Sequence, residues 1–312
     1  MFGWLKHGGG TPGWLAVSFD EGSLEFAHGR RVRGAKAQIS KYAAREFAEG
    51  KWTIERARRE LRLASHQCST MLLSGEYDMI LVEAPNVPRA EMKSALRWKV
   101  KDMVDYPLDE ATIDFLDIPL AESSGTDGRS QQLYAVLARK EIIRQRIRRF
   151  DEAGIPLAVI DIPETAQRNI ATLYEEQDRG VALIYFGRDW GLLTISHRGE
   201  LYLTRRLELG IEELAADMEG ASFGPHERVV LEIQRTLDHF ERQFRHVAVG
   251  KLLFAPTGRA TRLHEILEER FEMPVQQIDL ADVLGFVGER PDEQTQWRLF
   301  HHFGAALRDT PA

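Results

Sequence analysis

The chain uses one pattern twice: three short apolar strands joined by tight turns, followed by helices. The predicted strands of the two sets are 14–19, 23–27 and 31–37, then 181–186, 191–196 and 200–204. Glycines stand in the connecting turns, as in Asp20-Glu21-Gly22, where a glycine supplies the positive φ of a hairpin turn. Strands that must bury one face against helices predict an α/β fold, and the repetition predicts two related lobes. The identity between the halves is too slight for an internal sequence repeat.

A compact unit of helix, two strands and helix is predicted between the two sets. The first helix is predicted over 88–105, where Met92, Leu96, Val100 and Met103 recur at the three- and four-residue spacing of one helix face. The two strands and the second helix follow at 112–118, 132–138 and 140–153. Further predicted elements are helices at 53–64, 163–174, 230–244, 261–271 and 296–308, and strands at 69–73, 77–83, 157–160 and 250–254.

Composition excludes several classes of function. With 312 residues, of which 43% are hydrophobic, the chain can bury a substantial core. A net charge of -7 with 29% charged residues gives no reason to expect a nucleic acid or an anionic membrane as partner. The one cysteine, Cys68, cannot form an internal disulfide, and its apolar surroundings favour a small buried hydrophobe over a nucleophile. Because we find neither a signal peptide nor a run of about 18 uncharged apolar residues, we expect a soluble, cytoplasmic protein.

Seven short segments carry a resemblance to a known family. They are 81–92 (LVEAPNVPRAEM), 95–102 (ALRWKVKD), 106–109 (YPLD), 135–141 (AVLARKE), 153–156 (AGIP), 159–161 (VID) and 304–308 (GAALR). In this order and spacing they resemble the type IV pilus assembly family PilM, and most closely its MshI members from the mannose-sensitive haemagglutinin (MSHA) pilus system. The resemblance covers nearly the whole chain.

The resemblance implies the actin-like ATPase fold, an α/β fold of two lobes with a small subdomain inserted in the first lobe. The implied domains are a first-lobe core at 14–77 and 158–178 with the C-terminal helix 295–309, an inserted subdomain at 78–157, and a second lobe at 179–294. The predicted unit of helix, two strands and helix fits the size of the inserted subdomain.

The resemblance also implies a function, that of a non-catalytic scaffold in type IV pilus biogenesis. A PilM-like protein is expected to bind the cytoplasmic N-terminal tail of a PilN-like inner-membrane protein, in the groove between the main and inserted subdomains of the first lobe. The expected partners are that protein and other components of the pilus machine, with no nucleic acid and no direct membrane insertion. The chain would then lie in the cytoplasm, peripheral to the inner membrane through its partner.

Two other functions compete with the scaffold. A nucleotide-binding or weakly active ATPase in the same machine needs acidic residues at both phosphate turns of the fold. A membrane-anchored filament protein resembling FtsA needs a C-terminal amphipathic helix beyond the fold, which the final residues, 308–312, do not provide.

The two phosphate-binding turns implied by the resemblance lack their carboxylates. In the first turn the family's aspartate falls on Ser18. An alternative register uses Asp20 with Gly22, but a strand resumes at once, which favours a plain hairpin turn. In the second turn Gly187 is kept, and Tyr185 stands where the family carries aspartate. Since Mg²⁺ is held by oxygen ligands that include carboxylates, we expect no ATP hydrolysis and no cofactor.

A third segment, 254–259, corresponds to the glycine-rich loop that holds adenine and ribose in the family. Thr257 and Gly258 would let a nucleotide approach the backbone, and Arg259 would meet a phosphate. A helix N-terminus capped by Thr257 explains the same residues without a ligand. The candidate residues of a degenerate nucleotide cleft are thus Gly22, Gly187, Thr257 and Gly258.

Trp98 is the first candidate for partner binding. On the predicted helix it lies about 160° from the centre of the apolar stripe, at about 100° per residue, so it points away from that core. Tyr106, just past the helix end, would extend the same surface, whereas Met103 belongs to the stripe. The alternative is that Trp98 packs against a neighbouring loop or strand of its own fold.

No other catalytic or metal site is predicted. His301 and His302 are adjacent on a predicted helix and therefore point in different directions, which favours a surface feature over a metal site. The serine and histidine residues form neither a nucleophile elbow nor a P-loop.

Overall fold

The computed structural model describes residues 2–3, 12–19, 22–31, 34–46, 54–119, 131–176, 178–217 and 224–309. The strands are β1 (Phe2–Gly3), β2 (Trp14–Phe19), β3 (Ser23–Arg30), β4 (Ala37–Glu46), β5 (Gln67–Met71), β6 (Tyr77–Glu83), β7 (Ala111–Asp117), β8 (Gln132–Arg139), β9 (Leu157–Asp161), β10 (Arg179–Phe186), β11 (Gly191–His197), β12 (Glu200–Leu207), β13 (Ala248–Phe254), β14 (Val275–Gln277) and β15 (Leu284–Phe286). The helices are α1 (Ile54–Glu60), α2 (Met92–Lys99), α3 (Lys140–Glu152), α4 (Pro163–Ala171), α5 (Ile211–Ala216), α6 (Pro225–Gln243), α7 (Leu263–Arg270), α8 (Leu280–Val283) and α9 (Glu293–Ala306). The predicted α/β class is confirmed. None of the helices in the described part of the chain combines the length and the apolar character needed to cross a membrane.

The chain divides into two compact units. Unit 1 comprises Met1–Glu25 and Arg45–Pro163, and unit 2 comprises Phe26–Ala44 and Glu164–Ala312. The predicted inserted subdomain, 78–157, falls within unit 1. The unit boundaries differ from the predicted lobes, because residues 26–44, residues 164–178 and the C-terminal helix were all expected in the first-lobe core and lie in unit 2.

Four strands of unit 1 pair in the order β1-β9-β5-β2. β2 and β9 are parallel to β5, and β1 is antiparallel to β9. Cys68 lies on β5 with its side chain fully buried. Burial raises the pKa of the Cys68 thiol to about 12, in keeping with a small buried hydrophobe.

A second sheet of unit 1 has three antiparallel strands in the order β6-β8-β7. The predicted helix, two strands and helix are confirmed as α2, β7, β8 and α3, and β6 adds the third strand. β5 and β6 were predicted on either side of a turn at 74–76. They belong to different sheets, because β5 pairs with β2 and β9 whereas β6 pairs with β8.

Both faces of the three-stranded sheet are covered. Successive strand residues point to opposite faces, so alternate residues of β8 pack on the α2 side and the residues between them pack on the α3 side. On the α3 side, Ile143 of α3 packs in one core with Leu72 and Ile160, which ties the sheet to the rest of unit 1. The core on the α2 side includes Val82, Met92, Leu96, Val100, Leu133, Ala135 and Leu137.

Unit 2 contains a five-stranded sheet in the order β12-β11-β10-β13-β14. The second predicted set of strands is confirmed as the antiparallel meander β10, β11 and β12. β13 runs parallel to β10. Residues 180–186 of β10 are all buried, so this strand is covered on both faces.

Two helices of unit 2, α4 and α9, approach closely at a glycine. A Cβ atom on Gly304 of α9 would lie 2.1 Å from the carbonyl oxygen of Ala166 in α4, so only glycine permits this contact. The side-chain amide of Asn169 donates to the carbonyl oxygen of Gly304 at 3.0 Å. These contacts hold α9 against α4, a helix that was expected in the same first-lobe core as α9.

Candidate functional site

α2 presents a tryptophan to solvent. Met92 and Leu96 of this helix and the following Val100 are buried, as the predicted apolar stripe requires. Trp98 lies outside that stripe and is 81% exposed. The alternative, in which Trp98 packs on its own fold, is therefore wrong.

The helix ends earlier than predicted, at Lys99 instead of Asp105. The backbone then forms a tighter turn, in which the N–H of Met103 donates to the carbonyl oxygen of Val100 at 3.0 Å. Because helical spacing no longer applies past Lys99, Met103 leaves the core stripe to which it was assigned and is 55% exposed.

Tyr106 does not extend the surface of Trp98 as predicted. Its side chain is buried, and its hydroxyl donates to Asp78 Oδ2 at 2.8 Å. The guanidinium carbon of Arg139 lies 4.2 Å from the centre of its ring. Burial and the hydrogen bond to Asp78 raise the pKa of the Tyr106 phenol. The prediction for Tyr106 was wrong because α2 ends at Lys99, and the turns that follow bring Tyr106 back against the sheet.

The segment that follows α2 runs alongside β6. At one end of β6, Lys99 Nζ lies 3.6 Å from Glu83 Oε2. Near the other end, the hydroxyl of Tyr106 donates to Asp78. These two contacts place the end of α2 and the turns after it beside this strand.

Three exposed apolar side chains lie on these neighbouring segments. They are Leu81 of β6, which is 39% exposed, Trp98 and Met103. We call these three residues the edge surface, because β6 is an edge strand of its sheet. Leu81 was not singled out from the sequence, since an edge strand with apolar residues on both faces has the same pattern as a buried central strand.

In unit 2, the turn after β10 is covered by an indole. The N–H of Gly187 donates to the carbonyl oxygen of Trp190 at 2.8 Å and closes the turn to β11. A Cβ atom on Gly187 would lie 2.8 Å from the Trp190 ring. The face of the glycine that a phosphate would need to approach in this fold is thus occupied in part by Trp190.

Tyr185, the residue for which the sequence resemblance implied an aspartate, belongs to an aromatic cluster with α9. Its ring stacks on Phe300 with centroids 5.1 Å apart, and His301 meets it edge-on at 4.4 Å. Its hydroxyl donates to the carbonyl oxygen of Trp297 at 3.3 Å. Trp190 also stacks on His301, at 5.9 Å.

His301 and His302 are both buried, which corrects the prediction of a surface pair. His301 Nε2 lies 3.4 Å from Gln167 Oε1. Burial, with smaller contributions from His302 and Arg206, lowers the pKa of His301 to about 3. Over the described ranges, no group of three or more His, Cys, Asp or Glu side chains is arranged to hold a metal ion.

The loop after β13 is closed by its own side chains. Thr257 is buried, and its hydroxyl donates to the carbonyl oxygen of Arg259 at 2.7 Å. It does not cap a helix as proposed from the sequence, because α7 begins at Leu263, whose N–H donates to Thr261 Oγ1 at 3.0 Å. The guanidinium of Arg259 lies 3.1 Å from Glu212 Oε2.

The same loop lies against α9. Gly258 has a φ of +63°, and a Cβ atom on it would lie 3.1 Å from the ring of Trp297. Trp297 Nε1 also donates to the carbonyl oxygen of Phe186, the residue before Gly187, at 2.7 Å. Trp297 thus connects two of the predicted nucleotide loops of unit 2. Gly22 lies in unit 1 and is exposed, and Asp20, on which the alternative register depends, lies outside the described residues.

A cavity of about 590 Å³ opens beside this loop in unit 2. Its lining residues are Pro256, Gln277, Ile278, Asp279, Arg290, Pro291, Asp292, Glu293 and Gln296. Three carboxylates face one guanidinium, and that guanidinium is paired with Asp279. Glu293 Oε1 accepts hydrogen bonds from Gln277 Nε2 at 3.2 Å and from the backbone N–H of Thr257 at 3.5 Å. The excess of negative charge disfavours the phosphates of a nucleotide.

A family model described as "Type IV pilus assembly protein PilM" matches residues 51–227, more than half of the chain. The match includes the whole of the three-stranded sheet with α2 and α3, and all of β10, β11 and β12. A search of curated proteins finds no match.

Solved structures resemble the chain to different degrees. A chain of the "PilM-PilN type IV pilus biogenesis complex" matches with a TM-score of 0.65 and 18% identity, over 94% of this chain and 96% of that chain. The cytoplasmic domain of EpsL, an inner-membrane component of the type II secretion system of Vibrio cholerae, matches with a TM-score of 0.45 and 13% identity, over 92% and 94% of the two chains. The ethanolamine utilization protein EutJ from Carboxydothermus hydrogenoformans matches with a TM-score of 0.41 and 12% identity, over 95% and 90%. The first of these likenesses supports the expected actin-like ATPase fold, which is the fold of this chain.

His301 predicts a loss of stability at acid pH. Its pKa is about 3 in the folded chain against 6.5 for an ordinary histidine, so between these values the unfolded chain binds a proton that the folded chain excludes. The stabilisation is fully present above about pH 6.5 and is lost as pH falls toward 3, at up to about 1.4 kcal/mol per pH unit. The thermal unfolding midpoint of His301→Gln should therefore fall less steeply over this range than that of the unsubstituted protein. His239→Gln, at an exposed histidine, is the control and should keep the original slope. Equal slopes for all three proteins would contradict the assignment.

Proposed function

The chain belongs to the PilM family of type IV pilus assembly proteins, and on that premise we propose that it is a cytoplasmic scaffold that binds the cytoplasmic N-terminal tail of a PilN-like inner-membrane protein. The family match over residues 51–227 carries the proposal. The likeness in fold to a chain of the PilM-PilN complex supports it. The exposed Trp98 in unit 1 supplies a surface of the required chemistry, a large apolar face with one N–H donor.

Within this family we propose a role in biogenesis of an MSHA-type pilus. The support is the resemblance of segments such as 81–92 and 135–141 to MshI proteins. The chain would reach the inner membrane through its partner and contact other components of the pilus machine there.

This placement predicts behaviour in the native host. The chain should fractionate with the inner membrane when the PilN-like protein is present and remain in the soluble fraction when that protein is deleted. Mass spectrometry of the material that co-purifies with the chain should identify MSHA-type components. Recovery of no pilus-assembly protein would remove the proposed function, and recovery of components of a different pilus would remove only the MSHA assignment.

We also propose that the scaffold does not hydrolyse ATP. Tyr185 packs in the aromatic cluster with α9 at the second phosphate turn, and Trp190 covers Gly187. At the first turn, Ser18 stands at the position of the family's aspartate. The cavity beside Thr257 carries three carboxylates. Together these features leave the two positions of the family's aspartates without a carboxylate for Mg²⁺ and give no favourable potential for phosphate.

The purified chain should therefore release no phosphate from Mg-ATP above the rate without protein. Asp20→Ala should change nothing, because the first turn is proposed to be a plain hairpin turn. Magnesium-dependent phosphate release that Asp20→Ala abolishes would instead establish the alternative register, in which Asp20 serves the metal, and a weakly active ATPase.

Trp98→Ala tests the partner surface. Truncation of a tryptophan at the centre of an interface commonly costs about 2 kcal/mol or more, so the affinity for a synthetic N-terminal peptide of the PilN-like protein should fall about 30-fold. The melting temperature should stay the same, because an exposed side chain contributes little to folding. Val287→Ala, at a valine that is 63% exposed in unit 2, should leave both quantities unchanged. Unchanged affinity of Trp98→Ala, or a loss explained by unfolding, would exclude Trp98 from the interface.

A further inference from the structure

The three-stranded sheet of unit 1 has two edges that differ in their protection. At the β7 edge, the guanidinium of Arg97 donates to the carbonyl oxygens of Leu108 and Ala111 at 2.7 and 3.3 Å. The guanidinium of Arg89 lies 4.9 Å from the ring centre of Phe115. A strand approaching β7 from outside would have to displace these arginines. Charged side chains of this kind are a usual means by which a protein blocks an edge strand.

Within the described residues, no comparable contact covers the middle of the β6 edge. Residues 79–82, with the sequence Met-Ile-Leu-Val, are uncharged, and in the described part of the chain their backbone groups pair only with β8. The charged residues of β6, Asp78 and Glu83, stand near its two ends. A row of unpaired N–H and C=O groups on an apolar strand is a template for one more strand.

The surroundings of β6 fit an extended peptide on both faces. An added strand directs alternate side chains to opposite faces of the sheet. Asp78, Ile80 and Val82 belong to the face covered by α2. The exposed Trp98 and Met103 lie on α2 and on the turns after it, a segment that contacts β6 through Lys99 and Tyr106.

On the other face, Leu81 pairs with Tyr134 of β8 and is exposed. The edge surface therefore offers exposed apolar side chains on both faces of the sheet, to which the alternate side chains of an added strand would point. An α-helix laid against this edge would leave the backbone groups of β6 unpaired.

We infer that the N-terminal tail of the membrane partner binds as a fourth strand of this sheet, paired through its backbone with β6. The inference rests on the proposed function and specifies the mode of binding at the same surface. β6 has seven residues, about 23 Å at the rise of a strand, so a tail segment of comparable length pairs along its whole edge. Leu81, Trp98 and Met103 select the side chains of the tail.

The test uses the unsubstituted chain and a synthetic peptide of the N-terminal tail of the PilN-like protein from the same host. A second set of peptides carries one backbone N-methyl group each, moved along the tail one residue at a time. Only every second N–H of an added strand points to its neighbour. N-methylation should therefore weaken binding tenfold or more at alternate positions and by less than about twofold at the positions between them. Losses without this alternation, or no losses, would overturn strand pairing while leaving the proposed function intact.

A matched pair of substitutions locates the edge on the protein. Leu81→Lys should weaken binding of the unmethylated peptide tenfold or more with an unchanged melting temperature. Leu231→Lys, at a leucine of α6 with the same exposure of 39%, should leave the affinity unchanged. Equal affinities for the two variants would place the tail elsewhere. The free chain is also tested for dimers. A dimer that Leu81→Lys dissociates, but that the peptide leaves intact, would show that the edge binds a second copy of the chain, and this result would overturn the inference. Absence of any binding by the unmethylated peptide would instead remove the proposed function itself.

Discussion

The core in which Ile143 of α3 packs with Leu72 and Ile160 is the contact on which the candidate surface depends. It fixes one face of the three-stranded sheet to the rest of unit 1, and α2 closes the opposite face. A sheet covered on both faces exposes only its edges, so its binding chemistry is that of the backbone together with the side chains beside it. Each fully buried aliphatic side chain contributes about 1.5–3 kcal/mol, so the two cores stabilise the sheet that carries the edge. A rigid template loses little conformational entropy on binding.

Unit 2 shows how glycines are retained in a nucleotide-binding fold for a reason other than phosphate. Gly187 lies under the Trp190 ring, and Gly258 combines a positive φ with a close approach to Trp297. In both places the missing Cβ makes room for an indole. Glycines in these two loops are therefore weak evidence for a nucleotide, because packing alone requires them. Tyr185, at which the sequence resemblance implies an aspartate in the family, likewise has a packing role, since its ring stacks on Phe300 of α9.

Periodicity predicted most of the helices and strands, but not where they end or what covers them. Apolar spacing and glycine turns predicted the meander β10 to β12 and the helices α2 and α3. They did not predict the end of α2 at Lys99, because Val100 and Met103 keep helical spacing and no glycine or proline stands between Lys99 and Pro107. His301 and His302 were misplaced because the sequence of one helix cannot show that neighbouring elements cover it on all sides.

For the candidate site, the sequence identified Trp98 by its angle on the helix, which needs only local geometry. It missed Leu81, because the exposure of this residue depends on the position of β6 at the edge of its sheet. It misplaced Tyr106, because the burial of this residue accompanies a contact with Asp78, 28 residues earlier in the chain. Backbone pairing at an edge is largely independent of sequence, and each net hydrogen bond contributes about 0.5–1.5 kcal/mol. Selectivity for one tail must therefore come from the side chains beside the edge. Trp98 has the largest exposed apolar face among them, so under the proposed function we expect the residue that local geometry identifies to be also the one that distinguishes the correct partner from other extended peptides.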